Sequence, residues 1–113
     1  MTKAWIKKNL EAVRFLRSTY RLALEDIKKE DQESFRVRTD CVNEAYLKRP
    51  YPVAEPKFKC PLCSVNDMRC DKCPWTVFTE EAWCVTQKFF DDPIQSRIER
   101  LNDWEKRLLE MRR

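Results

Sequence analysis

The chain has neither glycine nor histidine among its 113 residues. The missing glycine excludes phosphate-cradling loops, dinucleotide fingerprints and calcium-loop turns, because each needs backbone angles or a close approach that a Cβ obstructs. It also requires helices to end at Asn, Asp or Pro. The missing histidine removes the ordinary base near neutral pH and every Cys–His or Ser–His pair. No spaced carboxylate pair in an apolar pocket can be identified, so an enzyme is the weakest class and catalytic residues are expected to be none. Long apolar runs are missing too. No stretch approaches the roughly 18 residues of a membrane span, and Met1-Thr-Lys-Ala-Trp-Ile-Lys-Lys has no apolar leader region. A cytoplasmic protein without membrane contact is expected.

What remains is 42% hydrophobic and 37% charged, with a net charge of +4 and six cysteines. A single domain of this size buries roughly 65% of its unfolded surface. Its core is lean, and a metal staple would help it. Four cysteines lie close together, as Cys60-Pro-Leu-Cys63 and Cys70-Asp-Lys-Cys73. Two residues between cysteines let one tight turn aim both thiolates at one point, and zinc takes four such ligands about 2.3 Å away. In a reducing compartment thiolates are favoured over disulfides, with the even count keeping a disulfide framework as the competing reading.

Cys60, Cys63, Cys70 and Cys73 are therefore the expected ligands of a structural zinc, with Asn66-Asp67 turning the chain between the pairs. Pro74 has no N–H to donate to a thiolate, which makes the second pair the poorer half. Cys84 is the alternate ligand, since it falls near the start of an expected helix. Lys57, Lys59, Arg69 and Lys72 would offset the charge of about −2 on such a centre. An all-sulfur shell leaves no position open for substrate, which points to structure and not catalysis. Cys41 stands apart and reads as a small buried hydrophobe.

The fold class expected is mostly α: a small domain with a long N-terminal helix packed on a C-terminal helix, carrying an irregular zinc-knuckle insertion. Four segments divide it, helical over 1–49, a Pro-rich strap over 50–59, the cysteine block over 60–84 and helical again over 85–113. Ile6, Leu10, Val13, Leu16, Tyr20, Leu24 and Ile27 recur at steps of three and four, predicting a helix from Thr2 to about Lys29. At roughly 40 Å it must protrude, pair with another long helix, or break near Ser18-Thr19. A weaker helix spans Ser34 to Leu47. Pro50, Pro52 and Pro56 then force an extended spacer. Trp75-Thr-Val-Phe78 reads as a short extended piece. Thr79, followed by Glu80 and Glu81, caps a short helix running toward Phe89. Asp92 caps the last helix, with Pro93 in its first position and Gln95 placed for a capping box. Ile94, Ile98, Leu101, Trp104, Leu108 and Met111 form its inner face, expected to lie antiparallel to the first helix.

The block Cys60-Pro-Leu-Cys63, six residues, Cys70-Asp-Lys-Cys73-Pro74-Trp75 and then Cys84-Val-Thr86 resembles the cysteine pattern of short proteins encoded by tailed bacteriophages and prophages. Those proteins set a similar five-cysteine block between two helices. The resemblance covers about thirty residues; the glycine usual between the fourth and fifth cysteines is missing here. It implies phage origin and metal binding, with no particular activity. Other cysteine families fit worse. A fungal binuclear cluster matches only Cys60, Cys63 and Cys70, and a nucleobase deaminase needs a different order of Pro, Cys and Glu.

Residues 1–29 carry eight Lys or Arg against three acids, so the whole positive excess lies there. Lys3, Lys7, Arg14, Arg17, Arg21 and Lys28 share a sector of roughly 80° at 100° per residue. That ridge is a solvated face, or it follows an acidic protein groove or a phosphate backbone. Phe15 and Leu22, a heptad apart on another side, widen the core face or contact a partner or a second copy through the first helix. The expected function is a non-enzymatic, zinc-stabilised accessory protein that binds a protein partner, such as a host component, through Lys7, Arg14, Arg17, Arg21, Lys28, Phe15 and Leu22. The alternative is nucleic-acid binding by the ridge.

Overall fold

In the computed structural model of the chain, residues 1–27, 34–52, 60–79 and 92–113 are described. They form five α-helices and one 3-10 turn, and no strand occurs among them. Helix α1 is Lys3–Glu25, α2 is Phe35–Lys48, α3 is Pro61–Val65, α4 is Pro74–Thr79 and α5 is Ile94–Arg112, with the 3-10 turn at Cys70–Lys72.

Helix α1 starts where Thr2 caps it, the hydroxyl accepting from the Trp5 N–H at 3.0 Å. It runs unbroken for 23 residues, about 35 Å at 1.5 Å per residue, in a molecule whose longest extent is 41 Å. Of the three outcomes open to so long a helix, pairing is the one realised. Its apolar stripe, from Ile6 through Leu10, Val13 and Leu16 to Tyr20, is buried against α5, and α2 and α3 cover further sides. Arg14 and Arg17 meet Glu105 and Asn102, while Tyr20 farther along meets Arg97, so α1 and α5 run antiparallel as expected. Ile94, Ile98, Leu101, Trp104 and Leu108 are all buried. Met111 is not. It is 39% exposed.

Helix ends follow from the missing glycine. Asp26 closes α1, Asn66 closes α3, and α2 stops at Arg49 just before Pro50. After Asn66 the chain reverses through Asp67 and Met68, both in the left-handed region at φ 52° and 62°. That conformation costs a non-glycine residue about 1–2 kcal/mol, less for Asp, whose short polar side chain tolerates it.

Three expectations are corrected. Trp75-Thr-Val-Phe78 is helical, not extended: Pro74 supplies the preset φ of a first helical position, and the Trp75 ring packs edge-on to Trp104 with centroids 5.7 Å apart. Thr79 is the last residue of α4 and not a cap, its hydroxyl hydrogen-bonded back to the Trp75 carbonyl. Helix α5 begins at Ile94 with Pro93 as the flanking residue and no side-chain cap; Asp92 instead pairs with Arg100 at 2.9 Å and accepts from Arg97 through its carbonyl. The expected helix from Thr79 toward Phe89, the Pro56 part of the strap, Lys28, Lys57, Lys59, Trp83 and Cys84 lie outside the described residues.

Candidate metal centre and its support

The two cysteine pairs have different backbones. Cys60 is extended (φ −72°, ψ 121°) and flanks α3, which opens at Pro61, so Cys60 and Cys63 belong to different local conformations. Cys70 and Cys73 bracket the 3-10 turn, closed by the Cys73 N–H donating to the Cys70 carbonyl at 3.1 Å. Cys63, Cys70 and Cys73 line one small cavity together with Met68, Arg69, Trp75 and Thr76. Cys60 is not on that wall. It lies instead on the side of Tyr20 and Tyr46, whose hydroxyls it influences electrostatically.

Of the pair expected to be the poorer half, both Cys70 and Cys73 line the cavity. Pro74 plays a structural part there as the buried first residue of α4. Three cysteines share this cavity with no carboxylate among them, and thiolates are ligands of the kind zinc takes. As placed, no three Cys, Asp or Glu side chains among the described residues stand close enough to hold an ion, so closing a shell requires the sulfurs to move inward. No disulfide is formed among the described cysteines.

The cysteine block is anchored to α1 by buried polar contacts. The Asn66 side chain donates to Asn9 Oδ1 at 2.7 Å, and the Asn9 amide donates to Asn66 Oδ1 at 3.3 Å. Each amide also donates to a carbonyl four residues earlier, Trp5 for Asn9 and Leu62 for Asn66. The Trp5 indole N–H donates to the Lys72 carbonyl at 2.8 Å. Buried polar groups are kept only where hydrogen-bonded, so these contacts fix the position of the block on α1. Trp75, 1% exposed, lines the cavity, and Trp104, 2% exposed, packs against it in the core.

A second buried polar cluster joins Tyr20, Tyr46 and Arg97. The Arg97 guanidinium lies 5.4 Å from the Tyr20 ring centre and hydrogen-bonds its hydroxyl, which is linked in turn to that of Tyr46. Burial pushes both hydroxyls well above their ordinary range; nearby negative charge, Cys60 included, adds to the rise and Arg97 opposes it. Both tyrosines are therefore neutral donors in the interior.

The basic ridge divides in two. Arg14 and Arg17 both pair with Glu105, at 2.7 Å each, and Arg17 also donates to Asn102 at 2.9 Å. These two arginines join α1 to α5. Hydrogen bonds from Arg17 hold the Glu105 carboxyl down to about 2, partial burial opposing them and Arg14 reinforcing them. Lys3, Lys7 and Arg21 are exposed. Phe15 is half-buried, edge-on to Tyr51 at 5.0 Å with Arg49 over its face at 5.4 Å, and Leu22 packs against the core. Leu22 widens the core face, while Phe15 is covered by Tyr51 and Arg49. Cys41 is likewise a partly buried neighbour of the core.

The contributions of Asn9, Asn66 and Arg97 are those the sequence reading missed. One signal was present: Asn9 stands four residues after Trp5, and Arg97 three after Ile94, so polar residues occupy positions on buried helix faces. No helix among the described residues is long and apolar enough to cross a membrane. No family model, no curated protein and no solved structure matches the chain.

Proposed function

We propose that the chain is a non-catalytic, zinc-stabilised accessory protein of phage type that acts in the host cytoplasm by binding a protein partner. The paired C-x-x-C spacing of Cys60, Cys63, Cys70 and Cys73 carries this reading, and the cavity shared by Cys63, Cys70 and Cys73 supports it. A structural metal there would hold the turn from Asn66 to Trp75 against α1. Cys60 or Cys84 supplies the fourth sulfur. The phage assignment rests on the cysteine pattern, and the partner surface is the exposed side of α1 with the region around the knot.

The pairing of Arg14 and Arg17 with Glu105 counts against the nucleic-acid reading, since it takes two cations out of the middle of the ridge. Lys3, Lys7 and Arg21 remain to support it. Native mass spectrometry of protein purified without added metal tests the metal: one zinc per chain is expected, lost in the C63S, C70S and C73S variants. Comparing C60S with C84S identifies the fourth ligand. Titrating the chain with random duplex in rising salt tests the partner class. Weak binding, unchanged when Lys3, Lys7 and Arg21 become Glu, keeps the protein partner; tight binding that falls by several phosphates' worth of salt slope and vanishes in that variant replaces it with nucleic acid.

A further inference from the structure

A cleft of about 680 Å³ opens between the start of α1 and the cysteine block. Lys8 from α1 and Arg69 and Lys72 from the block line it. Asp67 is the acid on the same wall, so the lining has an excess of two positive charges. Among the described residues neither Lys8 nor Lys72 has a carboxylate partner within 4 Å, while Arg69 is held only by Asp71 at 3.2 Å, in a pair with both side chains more than 60% exposed. Such a pair is worth little and exchanges readily for a better anion. Thr2 and Asn66 add polar groups to the lining.

Both walls are held in place. Trp5 Nε1 grips the Lys72 backbone, setting that residue at the cleft beside the α1 turn that bears Lys8, and the Asn9–Asn66 pair ties the same two walls a second time. The volume falls in the range of small-molecule sites, roughly 300–1,000 Å³, and exceeds what a bare oxyanion fills.

We propose that this cleft binds a phosphate monoester carrying an organic group of nucleoside size, its dianion held by Lys8, Lys72 and Arg69. A phosphate monoester carries about −1.5 to −2 at pH 7 and accepts several charge-assisted hydrogen bonds, which matches a cleft lined by three cations better than a carboxylate would. A free nucleotide and the 5′-phosphorylated end of a strand share this chemistry.

Titration of the full chain at low salt, followed by its backbone amide NMR signals, tests the site. Adenosine 5′-monophosphate should shift the signals of Thr2, Lys8, Asn66 and Lys72 saturably, and adenosine should not. K8Q should weaken the monophosphate by about tenfold, the loss expected for one charged hydrogen bond. K106Q, an exposed lysine on α5 and off the lining, should leave it unchanged. K72Q provides the second reading should K8Q lose its native spectrum. A 5′-phosphorylated tetranucleotide binding more tightly than its 5′-hydroxyl form and than the mononucleotide assigns the strand end, and equal affinity of the two phosphorylated ligands assigns the free nucleotide. Absence of saturable shifts, equal shifts with adenosine, or undiminished affinity in both K8Q and K72Q overturns the proposal. Lys8 lies on α1, outside the cysteine block, so loss of binding in K8Q at unchanged metal content separates this site from any role of Arg69 and Lys72 in offsetting thiolate charge.

Discussion

Asn9 and Asn66, 57 positions apart, face each other in the interior through two amide-to-amide hydrogen bonds. Each is nearly inaccessible, at 0% and 3% exposure. Truncating one leaves the other with a buried amide lacking its partner, a cost of about 1–3 kcal/mol. N66A should therefore destabilise the chain by that amount in urea denaturation. A double change of both residues to Leu should cost less than the sum of the two single changes, because no orphaned amide is left. A sum equal to the double would show that the pair is not coupled.

The Glu105 pair with Arg17 and Arg14 links stability to pH. Its folded carboxyl titrates at about 2 against an ordinary 4.5, so its contribution is complete above about pH 4.5 and fades as pH falls toward 2. The side chain is 21% exposed, and solvent screening reduces the effect to about 1–2 kcal/mol. Thermal melts of E105Q should show that loss at pH 7. The gap from wild type should narrow as the pH is lowered through this window, and a gap independent of pH would rule out the ion pair as its source.

Met68 occupies the left-handed region with a side chain 57% exposed, so its backbone costs energy that no burial offsets. M68G removes the Cβ conflict but loosens the unfolded chain, for a net gain of about 0.5–1 kcal/mol. D67G should gain less, since Asp tolerates the conformation. Chemical denaturation of the two variants orders them, and a destabilised M68G would mean that the turn differs from the one described.

The long helices were legible because apolar residues at steps of three and four leave few alternatives: α1 and α5, their antiparallel pairing and the burial of Leu16 and Trp104 all follow from spacing. Local chemistry misled where packing overrode it. Trp75, Val77 and Phe78 are good strand residues, yet Pro74 opens a helix there and Trp104 holds it. The basic ridge was legible as a face but not as a joint, because a sector plot of α1 says nothing of Glu105 on another helix.

At the cysteine block, spacing gave the candidate ligands but not their directions. A C-x-x-C pair aims both sulfurs together only if its backbone turns as a unit, and Pro61 makes Cys60 an extended flanking residue instead. Asn9 and Asn66 were unreadable as partners, since one lies in a helix stripe and the other in a turn with no local sign of the contact.

Metal held by Cys63, Cys70 and Cys73 and a fourth sulfur should contribute on the order of 10 kcal/mol to folding. A thermal melt followed by circular dichroism, run in reductant with and without excess strong chelator, measures this directly. The chelated protein should lose its cooperative transition and regain it with one equivalent of zinc; an identical cooperative melt in both conditions would show that these helices stand without metal.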